Sequence, residues 1–403
     1  MISKSTWQKE DNADIVAKII LFLLSPFFSF IYSLRRMNTK SSYVVFFLFA
    51  LIYGFCFTVL ADNTGLEETS DASRWRYRFE YINLYSANEY LQYVATYFMF
   101  ATDEVRDLYF LTVTFIVHQF SDNYHFFFFV LSVVFSFFQL KALRFLTGSP
   151  QFNNNVVCLL IATLFTANII SHIGGFRFWT AAWICVYSLF EYYVNKRRWF
   201  LAVLICLPLI HRGFFFMYPI MAVALLYKWK SFWNVAYYAS FALSGVSIYI
   251  IQDATPYLPS FLVNMVEAYS QGDISEGYSV TKLLLTSLQQ VYVNVLFIVI
   301  MLNRPKELPK GVERLYQFTL VFFTTVNFVM PVPSLGGRFI VLCYSLIAYL
   351  WLNIMGSKRY YQLIYLMPIF MIRTIYTSLN SFTNFQEPWF YITNPITLII
   401  EHL

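Results

Sequence analysis

Charged residues are scarce in this 403-residue chain. Asp, Glu, Lys and Arg make up only 12% of it, whereas 59% is hydrophobic and 21% is Phe, Trp or Tyr. A soluble globular fold cannot cover so much apolar surface with so few charges. The composition therefore argues against an ordinary soluble enzyme and indicates a chain that folds largely within a lipid bilayer.

Motifs for several common kinds of site are also missing. The five cysteines fall within apolar stretches without a Cys-x-x-Cys spacing, which gives no support to a disulfide framework or a thiolate metal site. The sequence has no dinucleotide-binding glycine fingerprint, no phosphate-loop lysine motif and no His-Glu-x-x-His zinc motif. Its apolar spans also lack the chain of Asp, Glu and Lys that is typical of a proton-coupled pump. We expect neither a metal nor a cofactor.

Apolar runs long enough to cross a membrane recur along the chain. A helix needs about 20 apolar residues to span the hydrocarbon layer, and continuous rather than alternating runs argue against a barrel. We predict an all-α, polytopic integral membrane bundle with about 12 and up to about 14 transmembrane helices, forming a single membrane-embedded domain over residues 1–403. The short apolar segment 108–120 is predicted to be re-entrant or interfacial. The predicted spans are 15–34, 43–60, 124–146, 156–173, 178–194, 199–211, 214–227, 232–251, 281–302, 315–330, 339–355 and 360–376.

Basic loops predict the orientation of this bundle. Lysine and arginine concentrate in the short cytoplasmic loops of membrane proteins, and the predicted spans place the basic clusters on one face. We expect that face to be cytoplasmic, which leaves segment 61–123, with interfacial or re-entrant helices, and loop 253–280 on the external side. The clusters are 35–40, 141–144, 196–198, 228–230, 304–314 and 358–359.

The predicted external face carries arginine almost exclusively. A planar guanidinium grips oxyanions with two parallel hydrogen bonds, so this choice of cation predicts a phosphate or carboxylate ligand. Alternatively, these arginines pair with the nearby carboxylates of Asp71, Glu80, Glu89 or Glu104, or they contact lipid headgroups. Apart from the N-terminal tail and two lysines at helix starts, the external cations are Arg74, Arg76, Arg78, Arg106, Arg177, Arg212, Arg338 and Arg373.

A glycine pair closely followed by Arg-Phe occurs twice, in segments 171–178 and 334–339, each at a predicted helix start on the external side. A cation at a helix N-terminus opposes the helix dipole unless an anion also lies there. Backbone N–H groups and a glycine turn can help to bind such an anion. Arg177 and Arg338 are therefore candidate anion ligands. Tight interhelical turns, with the arginines reaching towards headgroups, would produce the same pattern.

His211 and Arg212 lie between two short apolar runs, at the predicted outer end of a helical hairpin. A histidine at the membrane edge can accept a proton near neutral pH, and an adjacent arginine can hold charge beside it. An ionisable pair at the edge of a span is a functional candidate. The alternative is a hydrogen-bonded structural histidine in a turn.

Segment 70–80 alternates the arginines at 74, 76 and 78 with aromatic residues. Aromatic faces stack on sugar rings and arginine binds phosphate, so the pattern predicts a glycan-phosphate surface. Nucleic acid binding would use similar chemistry, but a net charge of only +6 and an external position make it the less expected use. An amphipathic interfacial helix with an aromatic belt is the alternative.

Several short segments occur in an order that extends over nearly the whole chain: Ser70-Asp71 to Tyr77, Glu89-Tyr90-Leu91, Arg177-Phe178, the basic turn 195–198, the His211 hairpin and Arg338-Phe339. In this order they resemble the EpsG-like branch of the Wzy-type polysaccharide polymerases. The likeness lies in order and topology rather than in a single motif. It departs at Arg212-Gly213, which follows His211 where a small hydroxyl residue is expected.

The resemblance implies a bacterial inner-membrane enzyme for O-antigen, capsule or exopolysaccharide synthesis. Such enzymes join oligosaccharide repeat units carried on undecaprenyl diphosphate at the outer membrane face, which requires stabilisation of a departing diphosphate and removal of a proton from a hydroxyl. A chain-length regulator protein would be a further partner, together with membrane lipid and without nucleic acid.

The residues quoted above can be given roles under this hypothesis. Arg177 and Arg338 would hold the diphosphate without a metal, and His211 would act as the general base or orient the acceptor. The remaining candidates would position the glycan or its carrier; they are Asp71, Arg74, Arg76, Arg78 and Arg212.

Two other functions would use the same arginines. A lipid-linked glycan flippase would recognise phosphate without catalysis, although flippases commonly place cations deep in a cavity between two similar halves, and no internal repeat is evident. Another lipid-phosphosugar glycosyltransferase, or an O-antigen ligase, would differ in its acceptor.

Overall fold

The structure is a computed structural model that describes residues 7–60, 70–99, 107–148, 163–226, 230–257, 280–332, 335–356 and 359–403. These residues contain helices and turns and no β-strand, which confirms the predicted all-α class. The chain divides into two compact units. The first unit contains Ile2–Tyr187, Leu209–His211 and Met371–Leu403, and the second contains Ser188–Pro208 and Arg212–Phe370. A single membrane-embedded domain stays a prediction.

The described residues form 18 α-helices. Shorter 3-10 segments join several of them, including Ile170–Gly175, Leu207–Leu209 and Arg212–Phe216. The α-helices are α1 (Asn12–Leu24), α2 (Pro26–Leu34), α3 (Lys40–Phe55), α4 (Asp71–Tyr81), α5 (Ala87–Met99), α6 (Leu108–His118), α7 (Tyr124–Thr147), α8 (Phe176–Leu189), α9 (Phe200–Cys206), α10 (Met217–Leu225), α11 (Lys230–Leu243), α12 (Ser247–Ala254), α13 (Val280–Asn303), α14 (Lys310–Phe328), α15 (Gly336–Ile354), α16 (Met367–Phe370), α17 (Ile372–Asn384) and α18 (Pro395–His402).

Four described helical segments have the length and hydropathy to cross a membrane: Tyr124–Thr147, Thr163–Val194, Leu284–Asn303 and Gly336–Ile354. A fifth would be added if Tyr360–Phe370 and Ile372–Asn384 formed one broken span. These helices agree with a membrane protein. The larger count of about 12 spans stays a prediction.

Several predicted spans are interrupted in the structure, and two of the differences lie in the first half of the chain. The predicted span 15–34 is broken into α1 and α2, because Ser25 is extended and caps α2, and Pro26 is its first residue. In addition, Lys18 is only 1% exposed and pairs with Glu10 at 2.5 Å and Asp14 at 2.8 Å.

The second difference concerns the predicted turn at 174–177. In its place the 3-10 segment Ile170–Gly175 leads directly into α8 at Phe176. The helical conformation is instead interrupted at Asn168 and Ile169, where Ile169 is extended. Residues 156–162 of the neighbouring predicted span lie outside the described residues, as do 61–69, 100–106 and 258–279 of the predicted external segments.

The first unit has its core around α3 and α7. Gly54 of α3 lies so close to α7 that an added Cβ would be 2.4 Å from the Cβ of Ser132 and 2.9 Å from the carbonyl oxygen of Phe128. Glycine is required there because it lets the two backbones approach. The fully buried Tyr53 ring stacks on Phe382 of α17 at 4.7 Å.

The second unit contains a buried cluster of neutral polar side chains, which we call the Asn294 cluster. Asn294 of α13 and Asn327 of α14 exchange two amide hydrogen bonds, at 3.1 and 2.7 Å. The Tyr237 hydroxyl of α11 donates to Asn294 Oδ1 at 2.5 Å. Hydrogen bonds between apolar helices satisfy buried polar groups that water does not reach, and they fix the register of the helices.

Candidate functional site

Helix α4 presents one apolar and one charged face. It begins at a capping serine, since the Ser70 hydroxyl accepts a hydrogen bond from the backbone N–H of Ser73 at 3.2 Å. Ala72, Trp75 and Phe79 follow at helical spacing and are buried. The arginines therefore lie around the edge of a helix that is anchored by its aromatic residues.

Helix α6 begins at an aspartate that sequence analysis did not select. Asp107 Oδ1 accepts a hydrogen bond from the backbone N–H of Phe110 at 2.9 Å and so caps the helix. Its other carboxylate oxygen, Oδ2, accepts from the Nη1 of Arg177 at 3.0 Å. The Asp107 side chain is 2% exposed and that of Arg177 is 19% exposed.

This ion pair explains how a cation can lie at the start of α8. Arg177 is the second residue of that helix, and Asp107 is the anion that the helix dipole and the guanidinium both require. Arg177 also lies within Thr163–Val194, which has the hydropathy of a span. An unpaired arginine would be costly there, so the carboxylate offsets its charge.

Trp75 contacts two guanidinium groups, one from its own helix α4 and one from the distant helix α8. The Cζ of Arg177 is 4.2 Å from the centre of its ring, and that of Arg78 is 5.0 Å away. The indole also packs against Phe110, with ring centres 4.8 Å apart. A tryptophan face attracts cations, and more strongly where water is excluded. We call Trp75, Arg78, Asp107 and Arg177 the Trp75 cluster.

A cavity of about 570 Å³ opens beside this cluster. That volume lies within the range of small-molecule sites, which typically combine apolar walls with a few polar groups. Aromatic faces suit sugar rings, the guanidinium suits phosphate and the carboxylate can orient or deprotonate a hydroxyl. The residues that give it this character are Trp75, Tyr77, Arg78, Tyr81, Tyr93 and Asp107.

Two other arginines of α4 have carboxylate partners within the helix. Arg74 contacts Asp71 at 2.5 Å, with both side chains 47% exposed, and Arg76 contacts Glu80 at 2.7 Å. These contacts correspond to the alternative interpretation of the arginines, and exposed pairs of this kind stabilise a helix only slightly. Glu104 and Arg106 lie outside the described residues.

Arg76 has a further packing role. Its guanidinium lies 3.7 Å from the ring centre of Tyr124 in α7 and donates to the carbonyl oxygen of Val59. It therefore ties α4 to neighbouring segments of the first unit.

His211 is buried near the start of α8. Its ring meets that of Phe178 edge to face, with centres 5.3 Å apart. Phe178 directly follows Arg177, so the structure brings His211 to the same helix end as the Arg177 ion pair. Arg212 begins a 3-10 segment in the second unit and is half-buried.

Arg338 belongs to the second unit, whereas Arg177 belongs to the first. Arg338 is the third residue of α15 and is half-exposed. The next residue, Phe339, packs against Phe214 at 5.3 Å and Phe216 at 5.0 Å between ring centres. That Arg177, His211 and Arg338 share one pocket stays a prediction.

Sequence analysis missed Asp107 and the tyrosines at 81 and 93. One signal was present for Asp107, since an aspartate directly precedes the apolar run that begins at Leu108, which is the pattern of a helix cap. Its pairing with Arg177 has no such signal, because 70 residues separate the two.

Comparison with known proteins does not assign a function, so a functional assignment depends on the candidate site. No protein-family model, no curated protein and no solved structure matches the chain.

Proposed function

We propose that this protein is a membrane-embedded glycosyltransferase that joins oligosaccharide units carried on a lipid diphosphate, and thus a repeat-unit polymerase of polysaccharide synthesis. The Trp75 cluster and its cavity are the observation that carries this proposal. They combine aromatic surface, two guanidinium groups and a carboxylate in the first unit, which also supplies membrane-capable helices.

The chemistry follows from these groups. Transfer breaks the bond between the anomeric carbon and the diphosphate oxygen, and that oxygen leaves with the electron pair. Arg177 stabilises the developing charge through hydrogen bonds that strengthen as the charge grows. Arg338 does the same under the hypothesis that both arginines reach one pocket. His211 or another base takes the proton of the acceptor hydroxyl as the new glycosidic bond forms.

The wider setting is part of the same proposal. The substrate is an undecaprenyl-diphosphate-linked repeat unit, and the site faces the outer side of a bacterial inner membrane. The chain crosses that membrane about 12 times. The Trp75 cluster, Asp71, Arg74 and Arg76 lie on the non-cytoplasmic side, as the distribution of basic loops predicts.

An assay with purified protein tests the proposal directly. Protein in detergent is incubated with undecaprenyl-diphosphate-linked repeat units, and the glycans are separated by length. A polymerase lengthens them without a membrane to cross, whereas a flippase leaves their length unchanged. Unchanged glycans with well-folded protein would rule out the polymerase.

The role of the arginines is tested by Arg177→Lys and Arg338→Lys. Lysine keeps the charge but loses the planar fork, so we expect glycan extension to fall about 100-fold with each variant. Arg198→Lys, at an exposed basic turn, is the matched control and should retain full activity. Wild-type extension by both test variants would contradict the assignment.

A further inference from the structure

The Arg177 site is already occupied by a carboxylate of the protein itself. Asp107 contacts Arg177 through one oxygen, with Oδ2 3.0 Å from Nη1, while Oδ1 accepts a hydrogen bond from the backbone N–H of Phe110 at 2.9 Å. A guanidinium fork is best satisfied by two oxygens of one anion. A phosphate can present two oxygens, so it would bind the fork more completely than the divided carboxylate does.

We propose that Asp107 is an internal competitor for anion binding, which holds Arg177 while the site is empty and is displaced by the phosphate of an incoming lipid diphosphate. The lipid-diphosphate identity of the ligand rests on the proposed function. The exchange itself rests on the contacts of Asp107 and Arg177.

The structure indicates which partner moves. Asp107 is fixed by its cap on α6 and is almost fully buried, whereas Arg177 is a long side chain that is 19% exposed. The guanidinium lies over the Trp75 ring, with Cζ 4.2 Å from the ring centre, and the face of a tryptophan ring attracts cations. Arg177 can therefore turn from Asp107 towards the cavity and remain over the indole.

The consequence is selectivity among anions. A site whose binding-competent form is populated only in part has its apparent affinity reduced by that fraction. An anion whose hydrogen bonds to Arg177 are little stronger than those of the Asp107 carboxylate would not displace that carboxylate. A diphosphate, which has several oxygens that can accept from the guanidinium, would displace it. Discrimination of this kind uses a built-in competing interaction rather than an additional contact.

Binding of farnesyl diphosphate, a short soluble analogue, measures the exchange. The test variant is Asp107→Asn, because an asparagine oxygen can still cap α6 while the competing charge is gone. If Arg177 is paired with Asp107 for about nine-tenths of the time, the variant should bind farnesyl diphosphate about tenfold more tightly in isothermal titration. Farnesol, which lacks the anion, should bind equally to both proteins.

Two further variants make the measurement specific. Glu89→Gln is the matched charge control, since Glu89 accepts backbone hydrogen bonds from Tyr85 and Ser86 without contacting the Trp75 cluster. It should leave the affinity unchanged. In an Arg177→Gln background, Asp107→Asn should produce no gain, because the group for which the two anions compete is absent.

Equal or weaker binding by Asp107→Asn would overturn the inference, and so would a gain that persists without Arg177. A loss of the cap alone would weaken binding, which is the opposite sign. If the asparagine variant folds poorly, Asp107→Ser also retains a capping oxygen and is judged by the same outcomes.

This test is separate from that of the proposed function. Tighter binding by Asp107→Asn with no glycan extension by the wild type would reject the polymerase and retain the exchange. Glycan extension by the wild type with no gain in binding by Asp107→Asn would retain the polymerase and reject the exchange.

Discussion

Two segments of the chain carry a glycine pair closely followed by Arg-Phe, one in each compact unit, and they form different local structures. In the first unit, Gly174 and Gly175 end a 3-10 segment and Arg177 pairs with Asp107. In the second unit, Gly336 and Gly337 are themselves the first residues of α15.

The glycines also serve different purposes. A Cβ on Gly336 would lie 2.4 Å from the Cα of Met330 and 2.8 Å from the carbonyl oxygen of Val329, so this glycine permits a close backbone approach. A Cβ on Gly174 would meet only side chains, the nearest being the Cβ of Ala72 at 3.3 Å. The shared pattern thus predicts a helix start in both places, while the surroundings decide what each arginine does.

The largest expected difference between the two segments is the loss of stability when the arginine of each is replaced by alanine. Arg177→Ala leaves the carboxylate of Asp107 buried without this cation and should lower the free energy of unfolding by about 3 kcal/mol. Arg338→Ala removes a half-exposed side chain and should cost about 1 kcal/mol or less. Chemical unfolding in detergent measures both.

A second substitution identifies the cause of the larger loss. Asp107→Asn in the Arg177→Ala background removes the buried charge and should restore part of the lost stability. Equal losses of stability in Arg177→Ala and Arg338→Ala would contradict the claim that the first segment depends on its buried ion pair.

The glycine pair of the second unit should show the next largest effect. Gly336→Ala forces Cβ against backbone atoms, which cannot yield as a flexible side chain does, and should destabilise the protein by about 1–3 kcal/mol. Gly337→Ala meets nothing within 4 Å and should be neutral or stabilising by up to about 1 kcal/mol. Thermal unfolding of the two variants provides the comparison, and similar values would contradict the close approach.

The smallest expected effect is on the pH dependence of the first unit, which contains all five histidines. The His118 ring lies between Phe79 and Tyr85, with centres 4.6 and 4.7 Å away. Burial lowers the pKa of His118 below its usual 6.5 and outweighs Asp122 and the backbone carbonyl groups of Leu84 and Phe79, which raise it.

The sign of the effect follows from proton binding. Because the folded state holds His118 neutral, the unfolded state binds more protons once the pH falls below about 6.5. The contribution of His118 should therefore be complete above that pH and should be lost progressively below it, towards the lower pKa of the folded state. His118→Phe keeps an aromatic ring and should reduce the slope of stability against pH. An unchanged slope would show that the pH dependence of stability comes from titratable groups other than His118.

The sequence predicted much of the helical framework. The predicted spans 124–146, 281–302 and 339–355 agree closely with α7, α13 and α15. Long apolar runs need no tertiary partner to become helical in a bilayer, because each backbone group is satisfied within its own helix. The division of span 15–34 could be predicted less well, since it depends on the Ser25 cap as well as on Pro26.

The candidate site was predictable only in part. The arginines of segment 70–80 and Arg177 stand out because a chain with so few charges places them beside aromatic residues and glycines. Asp107 did not stand out, and the cavity residues Tyr81 and Tyr93 cannot be distinguished in sequence from the many other tyrosines.

By itself, the sequence determined that this chain is helical, that it has apolar segments long enough to cross a membrane, and where several of its helices begin, because hydropathy, proline and capping side chains act over a few residues. The tertiary structure alone decided that Arg177 meets Asp107 over the face of Trp75. Ion pairs and cation contacts depend on distances of a few ångströms in space, and spacing along a chain does not set those distances.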